Sequence, residues 1–298
     1  MNGLKYSDAF RSLRLHHSEA TFAEKRLCEA VRAVRQTASD VLETTDNDRR
    51  RGLRLLSVGS AHGYLLEDVV TELGDEVSFE RMDCIEPNDA MARELETRMN
   101  TLASKYNFES EVYKREFSSE AAPSFLPNDF YDLIVFSHVL YYFDDPGDVL
   151  EVSLYKLANA RGRVFVTATN NTAFWNVLRG LRALAGDGPF MPQNLVDLDE
   201  LLRTKAAKMT AVSRSIDEGA LMMHLALQPA RSCISAHDAA IRKMGDAIVT
   251  FIAGRDIDTL LEKSRAQIQD IIRKHVVYSY GFPMLPATLE NVLLARNA

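Results

Sequence analysis

The sequence predicts a doubly wound α/β fold, a parallel sheet with helices on both faces. Two observations carry that expectation. From residue 53 to residue 168, short apolar runs alternate with longer amphipathic ones. The runs are also near-continuously apolar, as in Tyr131–Ser137 (YDLIVFS), which suits strands covered on both sides.

Taken in order, residues 1–18 are mixed and hold at most one short helix. From Ser18, Phe22, Leu27, Val31, Val34, Val41 and Leu42 recur at helical spacing between charged residues, and Ser18 stands where a cap belongs. Thr44–Gly52, with Arg49, Arg50 and Arg51, reads as an exposed loop. Leu53–Val58 is then a strand, Tyr64–Leu73 a helix and Phe79–Ile85 a strand. Asp89–Tyr106 is a helix and Ser110–Lys114 a weak strand. Tyr131–Ser137 is a buried strand, Pro146–Ala158 a helix and Arg163–Ala168 a strand. Asp144 and Asp145 before Pro146 read as a capping turn.

After Thr169 the alternation stops. Residues 171–209 are expected to be helical with a break at Gly186–Pro192, and residues 236–275 to hold one or two further helices. Such a region reads as a helical cap on the carboxyl edge of the sheet. Leu221–Leu227 and Val292–Leu294 are candidate strands to close that sheet. The chain thus divides into an N-terminal segment (1–50), an α/β core (51–170) and a cap with closing strands (171–298).

Composition narrows the partners. The 298 residues are 46% hydrophobic and 26% charged, ordinary for a globular protein, which rules out disorder, collagen and coiled coil. A net charge of −7 argues against a general nucleic-acid or anionic-membrane surface. Cys28, Cys84 and Cys233 are too few and too scattered for a disulfide framework or a zinc cluster. No apolar run approaches the roughly 18 residues needed to span a bilayer, and the charged N-terminus lacks a signal-peptide core. The expectation is a cytoplasmic protein, monomer or homodimer, with no metal and neither nucleic acid nor membrane as partner.

The chemistry concentrates after the first strand. Leu55–Tyr64 (LLSVGSAHGY) places Gly59, Ser60 and Gly63 between a strand and a helix, where a ligand approaches the backbone closely. The spacing is neither a dinucleotide fingerprint nor a P-loop. Glu86 ends the second strand, followed by Pro87, placed to accept hydrogen bonds from both hydroxyls of a ribose. Gly loop and acid, in this order within one β-α-β unit, point to a nucleoside-bearing cofactor.

With these two motifs in place, the chain resembles a class I S-adenosylmethionine-dependent methyltransferase, whose first motif is a loose Gly-x-Gly-x-Gly and whose second is the acidic strand end. Ala61 stands at the middle glycine. The resemblance implies a Rossmann-like, seven-stranded methyltransferase sheet with S-adenosylmethionine as cofactor. Phe117–Ser119 matches the adenine contact, and Tyr131–Tyr142 matches the fourth motif, near the methyl group. Within the superfamily the chain is similar to histamine N-methyltransferases from near the N-terminus to about residue 175. The matching stretches are Tyr6–Arg11, His16–Glu19, Ile85–Pro87, Ser118–Glu120 and Leu140–Tyr142.

By resemblance, Gly59, Ser60, Gly63, Glu86, Pro87, Met91, Ser118, Ser119 and Ser137 belong to the cofactor site. Tyr6, Phe10, Glu19, His138, Tyr141, Tyr142 and Trp175 line the substrate pocket, with Glu19 and His138 as candidates to handle a proton. The histamine readers are rewritten: His138 replaces a glutamine, Arg179 a second tryptophan, and Ala287 aligns with an asparagine. Histamine itself is therefore not the expected substrate. The expected reaction is methyl transfer to a small, partly aromatic acceptor at an amine nitrogen. The alternative is C- or O-methylation of an aromatic or indole natural-product scaffold, with His138 or Glu19 as base.

Each residue also has a plainer reading. Glu19 could complement its helix dipole, and Trp175 could simply pack. His62 could support the loop backbone or face solvent. Tyr141 and Tyr142 do not easily share one pocket, so one of them is expected in the core.

Overall fold

A computed structural model describes residues 18–40, 52–169, 172–185, 198–205, 208–222, 267–275, 277–279 and 282–297. Helix α1 (Ser18–Asp40) is followed by β1 (Leu53–Val58), α2 (Tyr64–Leu73), β2 (Phe79–Ile85), α3 (Asp89–Tyr106) and β3 (Glu109–Tyr113). The single turn α4 (Ala122–Phe125) leads to β4 (Tyr131–Ser137) and a 3-10 turn over Leu140–Tyr142. Then come α5 (Pro146–Val152), β5 (Ala158–Thr169), α6 (Thr172–Ala185), α7 (Leu198–Thr204) and β6 (Met209–Met222). A helical stretch over 267–273 precedes β7 (Val277–Ser279) and β8 (Phe282–Arg296).

The sheet runs β3-β2-β1-β4-β5-β8-β6, with β7 as a short antiparallel partner of β8. Strands β1 to β5 are parallel neighbours. This is the expected α/β architecture with its seven-stranded path. The chain starts in the middle of the sheet, winds outward through β2 and β3, then returns to place β4 on the other side of β1. That reversal falls at the carboxyl ends of β1 and β4, the place where open parallel sheets bind ligands.

Periodicity explains the packing. Helix α1 buries Leu27, Cys28, Ala30, Val31 and Val34, a stripe of 3.6-residue spacing, into the cluster that includes Leu55, Val69, Val70, Met82 and Leu133. Strand β4 is buried along Tyr131–Phe136, as a strand with helices on both faces must be. Each fully buried Val, Leu, Ile or Phe among them contributes about 1.5–3 kcal/mol through removal from water.

Two compact units emerge. One comprises Phe22–Ala168, Val196–Ile216 and Glu290–Ala298; the other comprises Met1–Thr21, Thr169–Leu195 and Asp217–Leu289. In the second unit Trp175, Val177, Ile268 and Ile272 are buried. Gly180 lies so close to Ile271 that an added Cβ would stand 2.8 Å from its Cγ2, so only a small residue lets these helices approach.

Two expectations are corrected and a third is met. The helix expected over Pro146–Ala158 ends at Val152 and loosens into a π turn over Ser153–Leu157, and Ala158 already pairs with Tyr131 as the start of β5. Strand β6 opens at Met209, within the stretch read as helical up to that residue and 12 positions before Leu221. Its first residues leave Thr210–Arg214 exposed, so the run has no apolar alternation to read. Strand β8 contains the expected Val292–Leu294 and begins well before it, at Phe282. The break at Gly186–Pro192 lies outside the described residues, as do Cys233 and residues 223–266.

Candidate active site

The turn after β1 folds back on itself. Gly59, Ala61 and Gly63 all take the left-handed conformation, with φ of 67°, 48° and 77°. The amides of Gly59 and Ser60 both donate to the carbonyl of Ile85, at 2.9 and 3.1 Å. The loop is thereby tied to the end of β2. Ser60 Oγ donates within the strand end, lying 3.0 Å from Ser57 O and 2.8 Å from Ser57 Oγ. A Cβ on Gly59 would stand 2.5 Å from Val139 Cγ2, so the loop after β1 touches the loop after β4 and glycine is needed for that approach.

Glu86 closes the opposite wall. It is buried, and its two oxygens are divided between the loop and helix α3: Oε2 accepts from Ala61 N–H at 2.8 Å and Oε1 from Asn88 N–H at 3.0 Å. A carboxylate offers about four lone-pair positions, so each oxygen retains capacity for one further donor. Burial pushes the Glu86 carboxyl above its ordinary value, and the two backbone amides pull against that shift. Asn88 caps α3, accepting from Ala90 and Met91 N–H, and Met91 is buried in that first turn.

The remaining strand ends complete one edge of the sheet. After β3, Phe117 is buried in edge-to-face contact with Phe136 (5.7 Å) and Phe143 (6.1 Å). Ser118 Oγ accepts from Ala121 N–H at 3.0 Å and shapes the turn into α4; Ser119 is half-buried beside it. Ser137 ends β4, also half-buried. His138 follows with φ of 55°, its N–H donating to Thr167 O at 2.8 Å. Its ring Nδ1 lies 2.8 Å from Tyr141 Oη. Tyr141 is buried at 6% exposure while Tyr142 is 40% exposed, so one of the pair does belong to the core.

The structure therefore brings Gly59, Ser60, Gly63, Glu86, Ser118, Ser137, His138 and Tyr141 to the carboxyl ends of one parallel sheet. It does not gather every predicted residue. Tyr6 and Phe10 lie outside the described residues, and Glu19 is placed only as the second residue of α1. Trp175 is buried in the other unit, its indole N–H 3.2 Å from Thr169 O. Of the two readings of His62, the solvent-facing one is corrected: the ring is fully buried, with Nδ1 3.2 Å from Glu94 Oε2. Its own carbonyl accepts from Arg98 Nε at 2.8 Å. The sequence reading missed Asn88, Val139 and Thr167. Asn88 was detectable as an Asn at a helix start, whereas Val139 and Thr167 act through contacts that no local pattern encodes.

A family model described as a methyltransferase domain matches residues 22–214, more than half of the chain. The chain belongs to that methyltransferase-domain family. Among solved structures, the methyltransferase is similar to an S-adenosylmethionine-dependent methyltransferase from Thiobacillus denitrificans, crystallised with S-adenosylhomocysteine. The two are 10% identical with a TM-score of 0.50, over 92% of this chain and 91% of that one. A Bacillus halodurans protein described as a methyltransferase is 9% identical with a TM-score of 0.49, over 88% and 97%. At such identities the likeness is one of fold. No curated protein matches the chain significantly. Among the described residues no helix is long and apolar enough to cross a membrane.

Proposed function

We propose that this methyltransferase transfers the methyl group of S-adenosylmethionine to a small, partly aromatic acceptor at an amine nitrogen. The observation that carries the reading is Glu86, whose carboxylate joins the Gly59–Gly63 loop to the start of α3 and keeps a lone pair on each oxygen. Two acceptor oxygens beside a left-handed, glycine-bordered turn fit the two hydroxyls of a ribose. A Cβ at Gly59 would close the approach. Phe117 and Ser118 supply an apolar face and a polar one for the base. The S-adenosylhomocysteine held by the fold-matched Thiobacillus protein supports this choice of donor.

When bound, S-adenosylmethionine supplies an electrophilic methyl on a sulfonium and leaves as a neutral thioether. The protein then has mainly to hold the nucleophile in line, which positioning alone makes worth about 7–11 kcal/mol in favourable cases. Gly59, Ser60, Gly63, Glu86, Pro87, Met91, Ser118, Ser119 and Ser137 are the residues assigned to the donor. Tyr6, Phe10, Glu19, Tyr141, Tyr142 and Trp175 are assigned to the acceptor, and the resemblance to histamine N-methyltransferases supports an amine there. A second reading, C- or O-methylation of an aromatic scaffold, is favoured by one observation: His138 is held by a hydroxyl at 2.8 Å, as a proton acceptor would be.

Calorimetry with S-adenosylhomocysteine tests the donor. Glu86→Ala is expected to lose roughly hundredfold affinity or more, the value of two hydrogen bonds to a charged group. The pH dependence has a definite sign. The bound form needs the carboxylate, and burial raises the pH at which Glu86 takes up a proton. Wild-type affinity should therefore decline on acidification, starting above the ordinary glutamate value of 4.5. Absence of binding at neutral pH would remove the donor assignment. Labelled donor offered to panels of amines, indoles and phenols then separates the two acceptor readings.

A further inference from the structure

His138 is held in an unusual way. Its backbone sits in the left-handed region at φ 55°, a conformation that costs a residue with a Cβ about 1–2 kcal/mol. The amide bond to Thr167 O, in register with the β4–β5 ladder, keeps it there. Three residues on, the 3-10 turn Leu140–Tyr142 brings the buried Tyr141 phenol back so that Oη lies 2.8 Å from Nδ1. Strain of this kind persists only where the surroundings over-determine it, and it concentrates at working sites.

The direction of the Nδ1–Oη hydrogen bond constrains which ring nitrogen carries the lone pair. A neutral imidazole carries one N–H and one lone pair; an imidazolium carries two N–H groups. If Tyr141 O–H donates to Nδ1, the ring proton sits on Nε2, and Nε2 has no lone pair to offer. If Nδ1–H donates to Oη, Nε2 carries the lone pair. Once the ring is protonated, Nδ1–H must donate whichever way the cycle began. Only the second arrangement keeps the same bond before and after proton uptake, and the bond strengthens as the ring becomes charged.

We propose that Tyr141 is the positioning residue of a His138–Tyr141 pair, holding the imidazole as its Nδ1–H tautomer so that Nε2 receives the proton released by the methyl acceptor. The inference rests on the methyl-transfer reading above and deepens it. In the step, the acceptor's X–H electron pair stays with the acceptor, on X when it is nitrogen or oxygen and in the ring π system when it is a ring carbon. The proton passes to Nε2, and Nδ1–H continues to donate to Oη. This pairing suits acceptors that must lose a proton as they react, such as a phenol, an indole carbon or an amine that ends as a neutral product.

Nitrogen NMR of histidine-labelled protein, with and without S-adenosylhomocysteine and at a pH where the ring is neutral, reads the tautomer directly. The His138 signals are assigned by their loss in His138→Gln. The expected result is a protonated Nδ1 and a bare Nε2 in the wild type, and loss of that fixed pattern in Tyr141→Phe, which keeps the ring and removes only the hydroxyl. A wild-type ring protonated at Nε2 would overturn the proposal without any variant, as would an unchanged tautomer in a folded Tyr141→Phe. Calorimetry on the same samples separates the two levels. Normal S-adenosylhomocysteine binding with the wrong tautomer sinks the pair alone, and absence of binding sinks the donor reading on which it stands.

Discussion

Ala61 is a single methyl group in a position that glycines occupy on either side. At φ 48° it lies in the left-handed region, as Gly59 and Gly63 do. Its amide makes the 2.8 Å bond to Glu86, so the strain is held where the loop grips the second strand. Ala61→Gly should remove about 1–2 kcal/mol of steric cost and add about 0.5–1 kcal/mol of chain entropy. The expected outcome is a denaturation midpoint equal to wild type or higher, with S-adenosylhomocysteine binding retained; a marked loss of stability would show that the methyl group packs usefully. At this scale the Gly loop and Glu86 were legible because each is local chemistry: a flexible residue after a strand, an acid at a strand end. The Ala61–Glu86 bond was not, because it joins residues 25 positions apart. The His138–Tyr141 pair lay within reach, since three positions are one turn, but nothing local announced that the chain would coil there.

At the scale of elements, the centre of the sheet contains a buried charge network with no part in the proposed chemistry. Asp83 on β2 is fully buried, with both oxygens 2.9 Å from Arg81 Nε and Oδ2 accepting from Tyr131 Oη at 2.7 Å. Burial pushes the Asp83 carboxyl above the ordinary aspartate range, while Arg81 and Tyr131 oppose that shift. Removing Asp83 strands the buried Tyr131 hydroxyl, while Arg81, partly exposed, keeps its ion pairs with Glu109 and Glu111. Asp83→Ala should therefore cost about 1–3 kcal/mol, read as a lower midpoint in urea. Tyr131→Phe, which takes away one hydrogen bond, should cost about 1–3 kcal/mol. A loss under 1 kcal/mol in Asp83→Ala would show that water reaches the site. The elements β1, α2, β2, α3 and β4 matched their sequence readings because period and burial agree along them. Strand β6 did not, because Val212 and Ile216 stand exposed at 55% and 59% and the charged Arg214 between them reaches Asp199 and Glu290. A strand at the sheet's end need not alternate, and its pairing with β8 then has to be found elsewhere in the chain.

For the whole molecule, the decisive fact is that the unit carrying the candidate site is discontinuous. It takes up Glu290–Ala298 from the far end of the chain, well beyond the family match at residues 22–214. There Val292, Leu293 and Leu294 are buried, and Asn291 meets Thr167 Oγ1 at 2.8 Å across β5 and β8. Each apolar side chain is worth about 1.5–3 kcal/mol, and together they approach the net stability of an ordinary domain. A chain ending at Leu289 is therefore expected to lose its cooperative thermal transition and its S-adenosylhomocysteine binding. A sharp transition and normal binding in that truncation would show that the sheet is complete without its last strand. The amino-acid sequence on its own determined the Gly loop, the acidic strand end and, apart from the single turn α4, the strand–helix order through residue 169, because period and turn chemistry act over a few neighbours. The fold alone decided that β8 enters beside β5, that Tyr141 is buried and Tyr142 exposed, and that His138 meets a phenol. Those outcomes depend on which distant surfaces exclude water together, and no short stretch of chain carries that information.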